Sequence, residues 1–349
     1  MLQNFSADWV FPVSGAPVKN GVVGVSDSGT ITYVYNENEG RHLTNVQKFK
    51  GAIVPGFINT HCHLELSHMR GMLPERTGLI QFIKNILSKR DATDEAIINA
   101  AVAADNEMFR NGIVAVGDIS NRSVTSKVKM ASKLYYYTFL EVLGIRGSAA
   151  QQVMDTAIEL QREFSGLHSG IVPHAPYSVS LELLELIANV DHDKERILSI
   201  HNQETEEENS WFESGTGDFI DFYDMLGIDL SAVQPLKKRS INYYLPSMPA
   251  HQRLLLVHNT VSNADDIVYA GSQKKDLYWC LCPSANLYIE NKLPDTELMI
   301  GSGIRITLGT DSLASNHQLN ILKEMQVLQQ HKKVGLTDLL LWGTLNGAE

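Results

Sequence analysis

The feature that most constrains this chain is a repeated ending. Eight short apolar runs, each with the length and composition of a strand, close on a residue able to do chemistry. The runs are "GAIVPGFINTH", "GIVAVGDIS", "LYYYTFLEVLG", "SGIVPHAPY", "ILSIHNQ", "LLLVHNT", "DLYWCLCP" and "IRITLGTD". Between them lie segments such as "DEAIINAAVAADNEMFRN" and "SLELLELIANV", whose apolar residues recur at three and four positions, as on an amphipathic helix. Eight strands with helices between most of them predict an α/β chain folded as a (β/α)₈ barrel of TIM type. The C-terminal strand ends of such a barrel form one rim. His61, His63, Asp118, Glu141, His174, His201, His258, Ser284, Asn286 and Asp311 would therefore surround one pocket.

The stretch before the barrel reads differently. "GVVGVSDSGTITYVYN" carries two β-branched and aromatic runs around Asp27-Ser28-Gly29, the pattern of a hairpin. A chain of 349 residues suggests two domains on length alone, but α/β barrels exceed that guide as single units. A formal net charge of -11 is the wrong sign for a phosphate-binding surface and argues against nucleic acid as a partner. The cysteines are Cys62, Cys280 and Cys282, an odd and sparse set that speaks against a disulfide framework and for a reducing compartment. "MLQNFSADWVFPV" lacks the basic start and apolar centre of a signal peptide, and no apolar run is long enough to span a bilayer. A soluble cytoplasmic protein is expected, with no membrane partner.

His61 and His63 are two apart, so on an extended strand both imidazoles share a face and Cys62 takes the other. Two imidazoles on one face suit zinc or a similar ion. His201 and Asp311, from other strand ends, can complete such a shell. Glu65 continues the alternation if the strand runs on.

Taken with "HAPYSVS", "HNQE", "LVHN", "CPSANLYI" and "LGTDSLASN", the stretch "PGFINTHCHLE" resembles the strand-end motifs of the amidohydrolase superfamily. Their order and spacing match over nearly the whole chain, and the likeness is greatest to the branch that deaminates nucleosides. That branch includes S-adenosylhomocysteine, methylthioadenosine and aminodeoxyfutalosine deaminases. The resemblance implies a barrel over residues 53–349 and a small β-sandwich to which residues 1–52 contribute. Relatives return to the sandwich after the last helix, and here the sequence ends at "TLNGAE". It implies one divalent metal ion held by His61, His63, His201 and Asp311: zinc first, with iron and manganese as alternatives. Many relatives hold two metals through a carboxylated lysine on the fourth strand. This chain has "IVPHAPYS" there, with His174 and no lysine, which favours one.

The chemistry implied is hydrolytic removal of an amino group. A metal-activated water attacks the amidine carbon, Asp311 and His258 orient that water and take its proton, and Glu204 protonates the ring nitrogen. Glu206, Glu207 and Glu208 read as a solvated run. The substrate is expected to be a small molecule, an adenine nucleoside derivative. "HCHLELSH" and "FLEVLG" point to aminodeoxyfutalosine, an intermediate in one route to menaquinone. Glu65, His68, Glu141, His174, Ser284, Asn286 and Ser315 are the expected substrate contacts. Phe82, Trp211 and Phe212 read as core more than as stacking platforms. A chlorohydrolase or guanine deaminase of the same superfamily shares the metal site and differs only in the pocket. A barrel scaffold without activity is the reading from another class. The H-x-E and P-C-x-x-C pattern of the other zinc deaminases is absent, since "CLCPS" has the wrong order. A homo-oligomer is left open.

Overall fold

The structure is a computed structural model that describes residues 2–36, 43, 45–190, 196–229, 235–273 and 276–349. Residues 37–42 and 44, within the expected sandwich part, lie outside the described residues. The N-terminal strands are β1 (Leu2–Val10), β2 (Val18–Ser26), β3 (Ile31–Asn36), β4 (Val46–Lys48) and β5 (Ala52–Ile53). They form one sheet of order β3-β2-β1-β4, with β5 also on β1. The β2–β3 hairpin turns at Asp27–Gly29, where Gly29 has φ 81° and Ser26 N–H donates to Thr30 O at 2.9 Å. Among the described residues this part is a single sheet, not the two layers of a sandwich. Phe11, Val13 and Val54 pack its edge onto the main core. The expected division at residues 52/53 falls inside β5.

The run "GAIVPGFINTH" is one strand in sequence pattern but two in space. Pro55 has no N–H to give a ladder and interrupts the run. Ala52–Ile53 pairs with β1, and the first barrel strand starts afresh at β6 (Phe57–Cys62). The others are β7 (Ile113–Ser120), β8 (Tyr135–Val142), β9 (His168–Pro173), β10 (Ile197–Asn202), β11 (Arg253–His258), β12 (Leu277–Leu281) and β13 (Ile306–Leu308). All eight pair in parallel, as β6-β7-β8-β9 and β10-β11-β12-β13. From Leu254 to His258 and from Leu277 to Leu281 every residue is buried, as expected where one face lines the barrel and the other lies under helices.

Two seams join the half-barrels. At one, Thr310 and Asp311 N–H donate to His61 O at 3.0 and 3.1 Å, and Thr60 meets Thr307 through their hydroxyls at 2.8 Å. Gly309 permits this approach: a Cβ there would lie 2.8 Å from the His61 Cβ. At the other, His201 N–H donates to His174 O at 2.9 Å, and buried Arg196 donates to Ile171 O and Ile187 O. The outer helices follow their periodicity. Asp94–Arg110 is capped by Thr93, whose hydroxyl accepts Ala96 N–H at 3.3 Å, and it buries Ile97, Ala101, Ala104 and Met108 at helical spacing. Burial of a side chain such as Ile97 or Met108 contributes about 1.5–3 kcal/mol. Truncation of Met108 to alanine would cost about 2–5 kcal/mol through the cavity left. Phe82, Trp211 and Phe212 sit in a second apolar cluster beside the rim. Among the described residues no helix is long and apolar enough to cross a membrane.

Candidate active site

The rim is built by backbone turns at strand ends. Gln203, His258, Asn259 and Asp311 all have positive φ (47°, 75°, 57° and 56°), the left-handed region that costs a residue with a side chain. These turns aim side chains across the barrel mouth. His61 is fully buried on β6, with its Nε2 3.1 Å from the Nε2 of His63. Asp311 Oδ1 lies 3.7 Å from the first and 3.4 Å from the second. The His201 ring stands 4.9 Å from that of His61 and stacks on His258 at 5.5 Å. The ligand-capable atoms of His61, His63 and Asp311 lie within 4.8 Å of one another, as do those of His61, His201 and His258.

These groups are tuned against protons. Burial, above all, lowers His63 to about 3 and His258 to about 4, and takes His201 well below its ordinary value. Burial opposes the charge on Asp311, but the His61 hydrogen bond and the neighbouring histidines outweigh it and hold the carboxyl well below the usual range. The result is neutral imidazoles and a carboxylate, the donor states a divalent cation requires. His61 Nδ1 is buried without a hydrogen-bond partner. Two nitrogens on one tetrahedral zinc would be about 3.3 Å apart, close to the separation of the two Nε2 atoms. The residues present therefore fit a metal ion.

Behind them stand supports that fix orientation, as metal sites commonly require. His201 Nδ1–H donates to His174 O at 2.7 Å, with Glu141 Oε1 3.5 Å away. His258 Nδ1–H donates to Asn286 Oδ1 at 2.8 Å. Ser315 Oγ–H donates to Asp311 Oδ2 at 2.6 Å. Asn286 and Ser315, expected as substrate contacts, are thus engaged behind His258 and Asp311. Ser284 N–H donates to buried Glu324 at 2.8 Å. His68 has its ring nitrogens 3.1 Å from Glu65 O and 3.0 Å from Arg90 O.

Strand alternation does not extend to Glu65, because β6 stops at Cys62 and Leu64–Met69 winds into a 3₁₀ helix. Its carboxylate instead accepts the N–H of Asn121 (3.2 Å) and Arg122 (3.3 Å), with Arg90 3.6 Å away. Burial still lifts Glu65 to about 7. Glu141 is likewise lifted to about 7 by burial; one oxygen accepts Asn121 Nδ2–H at 3.1 Å and the other, 3.5 Å from His201 Nδ1, makes no hydrogen bond. His174, lowered to about 4 by burial, has Nδ1 2.7 Å from Ser178 Oγ. Glu204 is buried with Oε2 3.7 Å from His258 Nε2, and its carboxyl is pushed well up by burial, then by Asp311, Glu290 and Glu208.

Other residues of this neighbourhood correct the sequence reading or were absent from it. Asp118 does not face the pocket as a free strand-end acid. It pairs with fully buried Lys129 at 2.6 Å and accepts Leu64 N–H at 2.7 Å, which holds the turn after His63. Glu208, read as solvated, is fully buried, while Glu206 is exposed and Glu207 half-buried. Buried Glu324 and half-buried Asn121 were not singled out. Glu208 lies in the first turn of a helix that starts only at Glu206, and no sequence period marks it as buried.

Residues 52–349 match the model of the Amidohydrolase family. An adenosine deaminase of Helicobacter pylori is 25% identical over 335 residues, which covers 94% of this chain and 80% of that protein. An aminodeoxyfutalosine deaminase of a Nitratiruptor species is 24% identical over 285 residues, 78% of this chain and 66% of that protein. Among solved structures, the H. pylori aminofutalosine deaminase in complex with methylthio-coformycin superposes with a TM-score of 0.85. Its identity is 25%, over 99% of this chain and 86% of that one.

Proposed function

The chain belongs to the amidohydrolase family, and from that premise we propose that it is a metal-dependent deaminase of an adenine nucleoside with a modified 5′ end, aminodeoxyfutalosine first. The observation that carries this is the pairing of opposites beside the histidine cluster. Glu204, with its carboxyl pushed well up, lies 3.7 Å from His258, whose ring is neutral. A proton donor and a proton acceptor side by side suit a reaction that must remove a proton from water and give one to a ring.

His61, His63, His201 and Asp311 would hold the metal, and zinc fits their nitrogen and carboxylate donors. A divalent cation there supplies Lewis acidity that brings water toward ionisation near neutral pH. Asp311, held by Ser315, and His258, held by Asn286, orient the attacking water and accept its proton. Glu204 donates its proton to the ring nitrogen beside the attacked carbon, where negative charge would otherwise build. The water oxygen bonds to that carbon, the carbon–nitrogen bond of the amino group breaks with proton return, and ammonia leaves. Glu141 Oε1, which makes no hydrogen bond of its own, would accept a ribose hydroxyl. A groove of about 430 Å³ lined by Ile83, Leu87, Leu143, Ile145, Phe222 and His174 supports an apolar group at the 5′ end.

The test is a substrate panel followed by the change in each ring's own ultraviolet absorbance: adenosine, methylthioadenosine, S-adenosylhomocysteine, aminodeoxyfutalosine, guanine and a chlorotriazine. Turnover of guanine or the chlorotriazine with none of the adenine nucleosides rejects the substrate assignment. Glu204→Gln should keep its metal and lose roughly 10² to 10⁴ in rate, the usual worth of a positioned acid. Glu207→Gln, half-buried and hydrogen-bonded to Thr205, should stay close to the unaltered enzyme.

A further inference from the structure

Strand β10 ends at Asn202, and the helix Glu206–Ser214 begins four residues later. Glu204 must be delivered to the pocket within that short turn. Gln203 carries the bend, with φ 47°. Its side chain is tied to Ser262, whose hydroxyl donates to Gln203 Oε1 at 2.5 Å, and its carbonyl accepts Val261 N–H at 3.0 Å. The N–H groups of Gln203 and Glu204 are buried in the bend and need acceptors. Both find the same one. Glu208, fully buried in the first turn of the helix, accepts Gln203 N–H on Oε1 at 3.0 Å and Glu204 N–H on Oε2 at 3.4 Å.

A buried carboxylate is an expensive acceptor for two backbone N–H groups that lie ahead of the helix. What it adds is a rigid fork: two acceptor oxygens on one planar group, each fixing one of two successive peptide units. The second of these bears the Glu204 side chain. Burial above all, then Asp311, Glu290 and Glu208, push the Glu204 carboxyl up, and burial likewise lifts Glu208 itself to about 7.

We propose that Glu208 is a positioning residue for Glu204: its carboxylate locks the Gln203–Glu204 turn and so sets the aim of the Glu204 carboxyl into the pocket. The proposal rests on the reading of Glu204 as the proton shuttle. It differs from a general structural role in one respect. Loss of Glu208 should matter only while Glu204 has a proton to deliver.

A double-mutant cycle on the metal-loaded, full-length protein separates the two. Glu208→Gln replaces one acceptor oxygen by an amide that faces a backbone N–H. Alone, it should lower kcat by about 10-fold or more, with KM within about threefold and metal content unchanged. In the Glu204→Gln background the same change should cost less than about twofold. Unchanged kcat in the single variant, or an equal loss in both backgrounds, overturns the proposal. Full activity of Glu204→Gln alone instead overturns the reading of Glu204, and with it the role of its support. If Glu208→Gln does not fold, Glu208→Asp enters the same cycle. It keeps the charge but is one methylene too short to span both N–H groups, so the same losses are expected and the same results overturn it.

Discussion

Replacement of Asn286 by leucine should slow the enzyme without touching its metal. His258 is 1% exposed, and its Nδ1 lies 2.8 Å from the Asn286 side-chain oxygen. That oxygen can only accept, so Nδ1 carries the proton and Nε2, facing Glu204, carries the lone pair. Asn286 Nδ2 has no hydrogen-bond partner, so leucine, of similar size, removes essentially one bond. The His258 ring then has two options. It can keep its tautomer with a buried N–H unsatisfied, at about 1–3 kcal/mol. Or it can move the proton to Nε2, which abolishes the acceptor at the pocket. Either route draws on the same free energy, and at 1.36 kcal/mol per tenfold kcat should fall by roughly 5- to 150-fold. Steady-state kinetics on the best nucleoside of the panel, with metal content determined alongside, measures this. Asn286→Asp keeps an acceptor oxygen and should lie nearer the unaltered enzyme than the leucine variant does. A leucine variant within twofold of normal kcat at full metal content would refute the tautomer argument.

Elemental analysis of active, loaded protein should give about one metal equivalent, and His201→Ala should lose metal and activity together; a stable requirement for two equivalents contradicts the single-site reading. Lys129→Met strands the fully buried Asp118 carboxylate and should destabilise the protein by about 3–5 kcal/mol, seen as a drop in melting temperature of roughly 5 °C or more. An unchanged melting temperature would mean that the pair is dispensable. Burial lifts Glu324 from 4.5 to about 7. A carboxyl raised in this way stabilises the fold below its unfolded value, and that contribution is lost as pH climbs through 7. The melting temperature of Glu324→Gln should therefore fall less between pH 5 and 8 than that of the unaltered protein, and equal slopes would count against it.

The barrel was legible because its strands are buried on both faces. Such strands read as unbroken apolar runs, against which a terminal histidine or carboxylate stands out. That logic located His61, His63, His201, His258 and Asp311 at one rim, the family resemblance added Glu204, and the structure brings them together. Where the chain leaves the strands, the local pattern loses its hold. Glu65 would share the face of His61 and His63 only if the strand ran on, and it ends at Cys62. Asn286 and Ser315 were expected to touch substrate, but Asn286 bonds His258 from another element, a pairing no period encodes, and Ser315 turns back on Asp311 four residues before it in the same loop. Nothing in "SKVKMASK" singles out Lys129, yet it turns inward to Asp118. A charged residue is buried only when a partner waits for it, and that partner lies on a different strand.

The positive φ angles at Gln203, His258, Asn259 and Asp311 show how the rim is held. Such conformations cost of order 1–3 kcal/mol each and persist only where the surroundings over-determine them. Glycine would relieve the strain at any of these positions but would delete the side chain. The surroundings answer with buried hydrogen bonds directly beneath each bend. Asn259 Nδ2–H donates to Leu256 O and Cys280 O, while its Oδ1 accepts from Asn202, which in turn accepts Tyr244 OH. Thr310, next to Asp311, is gripped on both its N–H and its hydroxyl by Asn59, and on its carbonyl by Asn316. Glu208 does the same for Gln203. Each strained turn thus has its own buried polar clamp. The histidines and Asp311 can then converge before any metal or substrate arrives, so binding need not supply the free energy to organise them.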